Sequence, residues 1–176
     1  LERPEGVIFS SSDMRDHILQ KNQGSKPERY TILENRPFLE DIPEDGHDKI
    51  SKETGQINVV YIGAIALEGY RNYIQYFKEV LNSGHSLHIY TPSADGIRND
   101  YSSKLKNGGN LHFHDPLPPN DLLKEISRYD MGMIPFNRSR DTEHLDFAIP
   151  NKLYEYLACG LRVITSFNLR YFPAVF

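Results

Sequence analysis

The chain is poor in cysteine, in basic charge and in long apolar runs. Its single cysteine, Cys159, excludes an internal disulfide and is typical of a reducing compartment. A lone thiol at the end of a predicted helix is expected to be buried and structural. No apolar run approaches the roughly 20 residues that a membrane-spanning helix needs. The formal net charge of −4 provides no basic surface, which argues against nucleic acid as a partner.

Two signatures of cofactor-dependent enzymes are also missing. No GxGxxG motif follows a predicted strand, which argues against a dinucleotide-dependent dehydrogenase. His112 and His114 lie two residues apart and share one face of a predicted strand, but no cysteine or carboxylate accompanies them at the spacing of a zinc site. We therefore expect these histidines to lie on a strand surface, and we expect no metal site.

From residue 57 onwards, strand-like and helix-like segments alternate. The predicted strands are short β-branched or apolar runs at residues 57–62, 86–90, 111–114, 131–136 and 163–165. The predicted amphipathic helices lie at residues 73–81, 97–105 and 122–129, the last capped by Asn120 or Asp121, and a final helix follows Asn151. Strict alternation predicts an α/β fold with a doubly wound, Rossmann-like parallel sheet. Ligands of such sheets bind beyond the carboxyl ends of the strands.

The remaining residues predict how the chain is divided. Residues 1–36 contain a strand, a helix capped by Ser12 and a second strand. Residues 37–56 combine proline, glycine and charge, as is typical of a linker. Residues 57–176 form the predicted α/β domain. A doubly wound sheet usually ends with a further helix, so we expect this domain to be incomplete and the parent protein to continue.

The predicted helix with the clearest start and stop signals lies within the segment IPNKLYEYLACG, which ends at Gly160. Asn151 is a favoured N-cap, and Gly160 suits a left-handed C-terminal cap. Lys152 and Glu155 are three residues apart and share a helix face. Spacing alone favours a surface ion pair. At a helix N-terminus on the ligand edge of a sheet, however, the lysine favours an anion.

Three further residues are candidates for the same edge. Gly63 ends the first strand of the α/β domain, where it either lets a phosphate approach the backbone or simply forms a turn. Arg71 precedes the next helix and either binds phosphate through two N–H groups or stays solvated. Asp146 lies in the long polar loop before Asn151. That loop is either a lid whose acids contact sugar hydroxyls or a mobile polar connection.

Several segments carry a family resemblance. They are IPNKLYEYLACGLRVI, VVYIGAI and YDMGMIPF, preceded by GVIFSSSDMRDHI and YTILENRP. In this order they resemble GT-B glycosyltransferases, especially the glycosyltransferase family 4-like group. The first three resemble its C-terminal, nucleotide-sugar-binding domain, and the last two the tail of its N-terminal domain. Members of the family often have proline at the position of Arg162. Many have a second glutamate at the position of Phe147, which here is preceded by Asp146.

This resemblance implies a glycosyltransferase that moves a hexosyl group from a UDP- or GDP-linked sugar to a glycan or lipid-linked acceptor. Lys152 would contact the diphosphate together with the helix N-terminus, and Glu155 would accept hydrogen bonds from ribose hydroxyls. The further nucleotide-sugar contacts would be Asn151, Gly63, Arg71 and Asp146. No metal or other cofactor is implied, because the lysine and the helix N-terminus supply the positive charge.

The resemblance also implies what lies outside this chain. The catalytic base belongs to an N-terminal acceptor domain that is mostly absent, so this fragment alone is expected to be inactive. The expected location is cytoplasmic, and the absent domain allows peripheral contact with the inner face of the membrane. Two alternatives remain open: a GT-B-fold nucleotide-sugar epimerase, and a non-catalytic α/β binding module.

Overall fold

The structure, a computed structural model, describes residues 5–22, 27, 29–44, 48–105, 109–137 and 140–166. These residues form two compact units. The first contains the described residues of Leu1–Arg36 and Arg138–Asn151, and the second those of Pro37–Asn137 and Lys152–Ser166. No helix in these described ranges is both long and apolar enough to cross a bilayer.

The first unit is a small parallel β-α-β arrangement with one additional turn. Its elements are β1 (Val7–Phe9), α1 (Ser12–Lys21), β2 (Tyr30–Ile32) and a 3-10 segment (Arg140–Phe147). The cap of α1 is Ser11, whose hydroxyl oxygen accepts the Met14 N–H at 3.1 Å. The predicted cap at Ser12 was therefore wrong by one residue. The same Ser11 hydroxyl donates to the carbonyl oxygen of Phe147 at 2.9 Å, which ties the 3-10 segment to α1.

The second unit is a five-stranded parallel sheet flanked by helices, with strand order β5-β4-β3-β6-β7. Its strands are β3 (Asn58–Ile62), β4 (Ser86–Tyr90), β5 (Leu111–His114), β6 (Met131–Ile134) and β7 (Arg162–Thr165). Its helices are α2 (Ile50–Thr54), α3 (Ile74–Asn82), α4 (Asp95–Leu105), α5 (Pro119–Ile126) and α6 (Asn151–Ala158). The predicted α/β class with a parallel sheet is confirmed.

Two local predictions need comment. Helix α5 begins at Pro119 with Pro118 before it, so the predicted cap at Asn120 or Asp121 was wrong. Proline suits a first helical position because its fixed φ matches the helix and no intrahelical partner is lost. The segment 37–56 contains α2, and the Lys49 ammonium before it donates to the Ser127 carbonyl at 2.8 Å.

The main apolar core lies between the sheet and helices α3 and α4. All five residues of the central strand β3 are buried, as expected where both faces of a parallel strand are covered. Alternate residues of β3 and β4 face this core, and Phe77 and Tyr101 pack against them from the helices. The lone thiol of Cys159 is buried, and its Sγ lies 3.3 Å from the Leu123 carbonyl oxygen, which confirms the expected structural role.

The three histidines of β4 and β5 form a cluster against α5. His88 Nδ1 lies 3.0 Å from His114 Nε2, and the ring of His88 stacks on that of His112. All three are half-buried rather than on an open strand surface as predicted. Burial lowers the pKa of His88 to about 3, helped by repulsion from the two neighbouring histidines. Among the described residues, no group of His, Cys, Asp or Glu side chains is arranged to hold a metal ion.

We predict that acid destabilises the second unit through His88. An unfolded histidine, with a pKa of 6.5, takes up a proton below that pH, whereas folded His88 stays neutral until about pH 3. The free energy of unfolding should therefore fall by about 1–2 kcal/mol between pH 7 and pH 4.5, after allowance for partial exposure. Urea titrations of the wild type and His88→Gln measure this. The variant should show a smaller fall, and a His85→Gln control should match the wild type. An equal fall in all three proteins would contradict the prediction.

Candidate functional site

Helix α6 ends as its sequence predicts. Gly160 adopts a left-handed conformation, with φ +68°. Its N–H donates to the Leu157 carbonyl at 3.0 Å, and the Leu161 N–H donates to the Tyr156 carbonyl at 2.9 Å, a Schellman motif. At the other end, Asn151 is the first helical residue instead of the residue before it, and it is exposed. This places Lys152 in the first turn of an eight-residue helix.

The sheet opens between its two middle strands. β3 pairs with β6 only at Val59–Met131 and Val60–Gly132, although both strands continue beyond these pairs. By contrast, β3 pairs with β4 along its full length. The gap coincides with the reversal of strand order, the point at which open α/β sheets bind their ligands.

Tyr156 of α6 fills the base of this gap. Its hydroxyl accepts the Ile62 N–H at 3.1 Å and lies 3.3 Å from the Val60 carbonyl and 3.4 Å from the Met133 carbonyl. Its ring lies flat against Gly132, where an added Cβ would come within 2.3 Å of the ring carbons. The side chain is fully buried, and burial raises the pKa of its phenol.

Lys152 and Gly63 meet directly above this gap. A Cβ at Gly63 would lie 3.2 Å from Lys152 Nζ and 3.3 Å from the Tyr61 hydroxyl. The φ of Gly63 is +129°, a conformation that other residues rarely adopt. The backbone conformation therefore favours glycine here, and a side chain would also be in tight contact with Lys152 Nζ and the Tyr61 hydroxyl. The structure brings together two of the predicted site residues, one from the end of β3 and one from the start of α6.

The ammonium of Lys152 is held over an aromatic ring. Its Nζ lies 4.3 Å from the centroid of the Tyr61 ring, a favourable cation–π distance. Among the described residues, it makes no ion pair within 4.0 Å. Burial of the ammonium lowers the pKa of Lys152 to about 8, against the favourable charge of Glu155 and together with repulsion from Arg71.

Glu155 shows the opposite shift for the same reason. Burial raises the pKa of its carboxyl, and the positive charge of Lys152 only partly offsets that effect. The two side chains share a helix face, but within the described ranges they form no salt bridge. Desolvation therefore outweighs their mutual attraction at both groups. Two unlike charges that are desolvated and form no salt bridge among the described residues make this place a candidate ligand site.

The loop that follows Gly63 is anchored by hydroxyl groups. The Ser93 hydroxyl accepts the Ile65 N–H and donates to the Ile65 carbonyl, both at 3.0 Å. The Tyr101 hydroxyl donates to the Ala66 carbonyl at 2.8 Å. Arg71 ends a 3-10 turn in this loop, and its exposed guanidinium lies 5.1 Å from the ring of Tyr70. The loop after Gly63 is thus anchored by side-chain hydrogen bonds, while the Arg71 side chain is exposed to solvent.

Two predicted residues belong to the first unit. Asp146 lies in the 3-10 segment of that unit and is 3% exposed, so its carboxylate is not a surface group. Asn151 also belongs to it. The remaining candidates, Gly63, Lys152 and Glu155, lie in the second unit with Arg71. For Asp146 and Asn151 a ligand contact stays a prediction.

Three residues of the site were missed at the sequence level. Tyr61 and Tyr156 sit at apolar positions of a strand and a helix, where tyrosine is ordinarily read as core. Gly132 did carry a signal, because an isolated glycine inside a strand indicates close approach of another group. That signal points to Tyr156 only once the helix is placed on the sheet.

Comparisons with known proteins bear on this fold. No protein-family model and no curated protein sequence matches the chain. Among solved structures, the chain is similar to WaaG, a glycosyltransferase involved in lipopolysaccharide biosynthesis. The TM-score is 0.67 at 16% sequence identity, over 96% of this chain. This chain covers 46% of the WaaG chain, which is less than half of its length. At this identity the similarity shows a shared fold.

A second similar structure is a Listeria monocytogenes protein assigned as a UDP-N-acetylglucosamine 2-epimerase. Its TM-score is 0.45 at 15% identity, over 82% of this chain and 38% of that one. A TM-score of this size supports no conclusion. The comparisons therefore show an α/β fold shared with a glycosyltransferase, whereas membership of the GT-B glycosyltransferases and of their family 4-like group stays a prediction.

We predict that the charge of Glu155 sustains the protonated form of Lys152. In the wild type, Lys152 should titrate near pH 8, and Glu155→Gln should lower this pKa further by removing the attractive carboxylate. NMR of ¹³C-labelled lysine ε-methylene groups across the pH range measures both values. Glu79→Gln, on the exposed surface of α3, serves as the matched control and should change nothing. A wild-type pKa near the ordinary lysine value of 10.5 would contradict the desolvation argument.

Proposed function

We propose that the second unit binds a nucleoside diphosphate sugar, and that the protein containing it transfers the sugar to an acceptor. The observation that carries this proposal is the position of Lys152 beside the glycine at the end of β3, together with the desolvation of Lys152 and Glu155, which form no salt bridge among the described residues. The fold shared with a glycosyltransferase and the resemblance of the α6 segment support the same reading.

We assign the diphosphate to the ligand edge of the sheet beside Gly63 and Lys152. A glycine without a Cβ leaves room for a phosphate against the backbone, and the N-terminus of α6 adds N–H groups and a favourable dipole. Phosphate oxygens would give the Lys152 ammonium the ionic partner that it lacks among the described residues. As the sugar leaves, negative charge grows on the diphosphate, and Lys152 would stabilise it at that moment.

The nucleoside is assigned to the Glu155 side of the helix. A carboxylate accepts hydrogen bonds at both oxygens, which suits the two neighbouring hydroxyls of a ribose. Those hydroxyls would favour the charged form of Glu155, whose pKa burial raises. Arg71, exposed on the anchored loop, is a further proposed phosphate contact, and Asn151 and Asp146 stay proposed contacts of the nucleotide sugar.

The transfer would move the hexosyl group from UDP or GDP to a glycan or lipid-linked acceptor. We propose that Lys152 and the helix N-terminus act without a metal ion, and that a base outside this chain activates the acceptor hydroxyl. Contact with the inner face of a membrane would be made outside this chain. An epimerase remains the second enzymatic candidate, and product analysis with and without an acceptor separates the two because epimerisation needs none.

We predict that removing the charge of Lys152 weakens nucleotide binding. Lys152→Met keeps the hydrocarbon stem on Tyr61 but removes the ammonium, so affinity for UDP or GDP should fall about 10- to 100-fold. Calorimetry with both nucleotides measures this. Lys78→Met, on the exposed face of α3, is the matched control and should bind as the wild type does. Unchanged affinity in Lys152→Met would remove Lys152 from the site.

We predict that Glu155 selects for the ribose. Glu155→Gln should lower affinity for the ribonucleotide about tenfold and affinity for its 2′-deoxy analogue by a smaller factor, because the analogue keeps only one of the two hydroxyls. Competition binding with UDP, GDP and their 2′-deoxy forms supplies the comparison. Equal losses for both forms would indicate that Glu155 is merely structural.

A further inference from the structure

The hydroxyl of Tyr156 occupies a place where a parallel ladder would otherwise have backbone bonds. Beyond Val60 and Gly132 the two strands no longer pair, which would leave buried backbone groups without partners. The hydroxyl accepts from Ile62 N–H and is in reach of the Val60 and Met133 carbonyls, to one of which it can donate at a time. One side chain therefore stabilises the opening between β3 and β6.

The same side chain determines how closely α6 approaches the sheet. The Tyr156 ring lies where a Cβ of residue 132 would be, so only glycine lets the helix come this near. The carbonyl of Tyr156 is also bonded to Leu161 in the C-terminal cap, which fixes this turn of the helix. The ring, hydroxyl and carbonyl of Tyr156 together fix the distance of α6 from the sheet and the rotation of the helix about its axis.

Lys152 is four residues before Tyr156 and so lies on the same helix face, one turn nearer the ligand edge. Tyr156 bonds to Ile62, and Lys152 Nζ reaches the next residue, Gly63. The two contacts thus involve consecutive residues at the end of β3, and the side chains that make them come from consecutive turns of α6. Any shift of Tyr156 moves Lys152 relative to Gly63.

We propose that Tyr156 is a positioning residue for the candidate phosphate site: seated on Gly132 and bonded to the open ends of β3 and β6, it places the Lys152 ammonium against Gly63. The effect on ligand affinity rests on the proposed function, whereas the effect on Lys152 does not. A purely structural tyrosine would change the stability of the unit without changing the surroundings of Lys152.

The test compares Tyr156→Phe with Tyr129→Phe. Tyr129 is also fully buried, and its hydroxyl lies 3.0 Å from that of Tyr90. Tyr90 lies on the face of the sheet that carries His88 and His114, called here the histidine face. Each variant thus loses one buried, hydrogen-bonded hydroxyl. Three quantities are measured for each: the unfolding midpoint in urea, the pKa of Lys152 by ¹³C NMR, and the dissociation constants of UDP and GDP.

Both variants should lower the unfolding midpoint. In Tyr156→Phe alone, the pKa of Lys152 should rise towards the ordinary lysine value and nucleotide affinity should fall about tenfold. Gly132→Ala, which displaces the ring, should likewise raise the pKa of Lys152 and lower nucleotide affinity. If Tyr156→Phe matches Tyr129→Phe in both the Lys152 pKa and nucleotide affinity, the positioning role is overturned. If the wild type binds neither nucleotide, the proposed function fails, and the Lys152 pKa alone then decides for or against the positioning role.

Discussion

The candidate site depends on a gap in the central sheet that a single hydroxyl group makes tolerable. Backbone N–H and C=O groups at the open ends of β3 and β6 would be costly to bury unpaired, and the Tyr156 hydroxyl supplies their partner. The sheet can therefore separate with fewer buried backbone groups left without a hydrogen-bond partner. Because Tyr156 belongs to α6, the group that stabilises the gap also fixes the helix that borders it.

Desolvation gives the site its chemical character. Lys152 and Glu155 lie on adjoining turns. Burial favours the neutral form of both side chains, because it lowers the pKa of Lys152 and raises that of Glu155, and this effect exceeds their mutual attraction. Desolvating two charges in this way is costly, and a ligand with an anion at one end and hydroxyl donors at the other would offset that cost. A nucleoside diphosphate has both features.

Much of the fold could be predicted from the sequence, because alternating strand and helix signals in order allow few other arrangements. The C-terminal cap of α6 was also predictable, since Gly160 follows the last apolar turn. The start of α5 was predicted wrongly, because the helix begins at Pro119, after Pro118, and not after one of the polar residues that follow. The role of Tyr156 depends on its distance from Gly132, which periodicity along one helix does not contain. Lys152 and Glu155 could be named from the sequence, but their desolvation depends on the packing around α6, which the sequence alone does not contain.

The central claim is that a nucleoside diphosphate binds between the end of β3 and the start of α6. Chemical-shift mapping of backbone amides during titration with UDP and with GDP tests it most directly. The account predicts that one of them produces its largest shifts at Gly63 and at residues 152–155, with small shifts on the histidine face of the sheet. Largest shifts elsewhere, or no shift with either nucleotide, would contradict it.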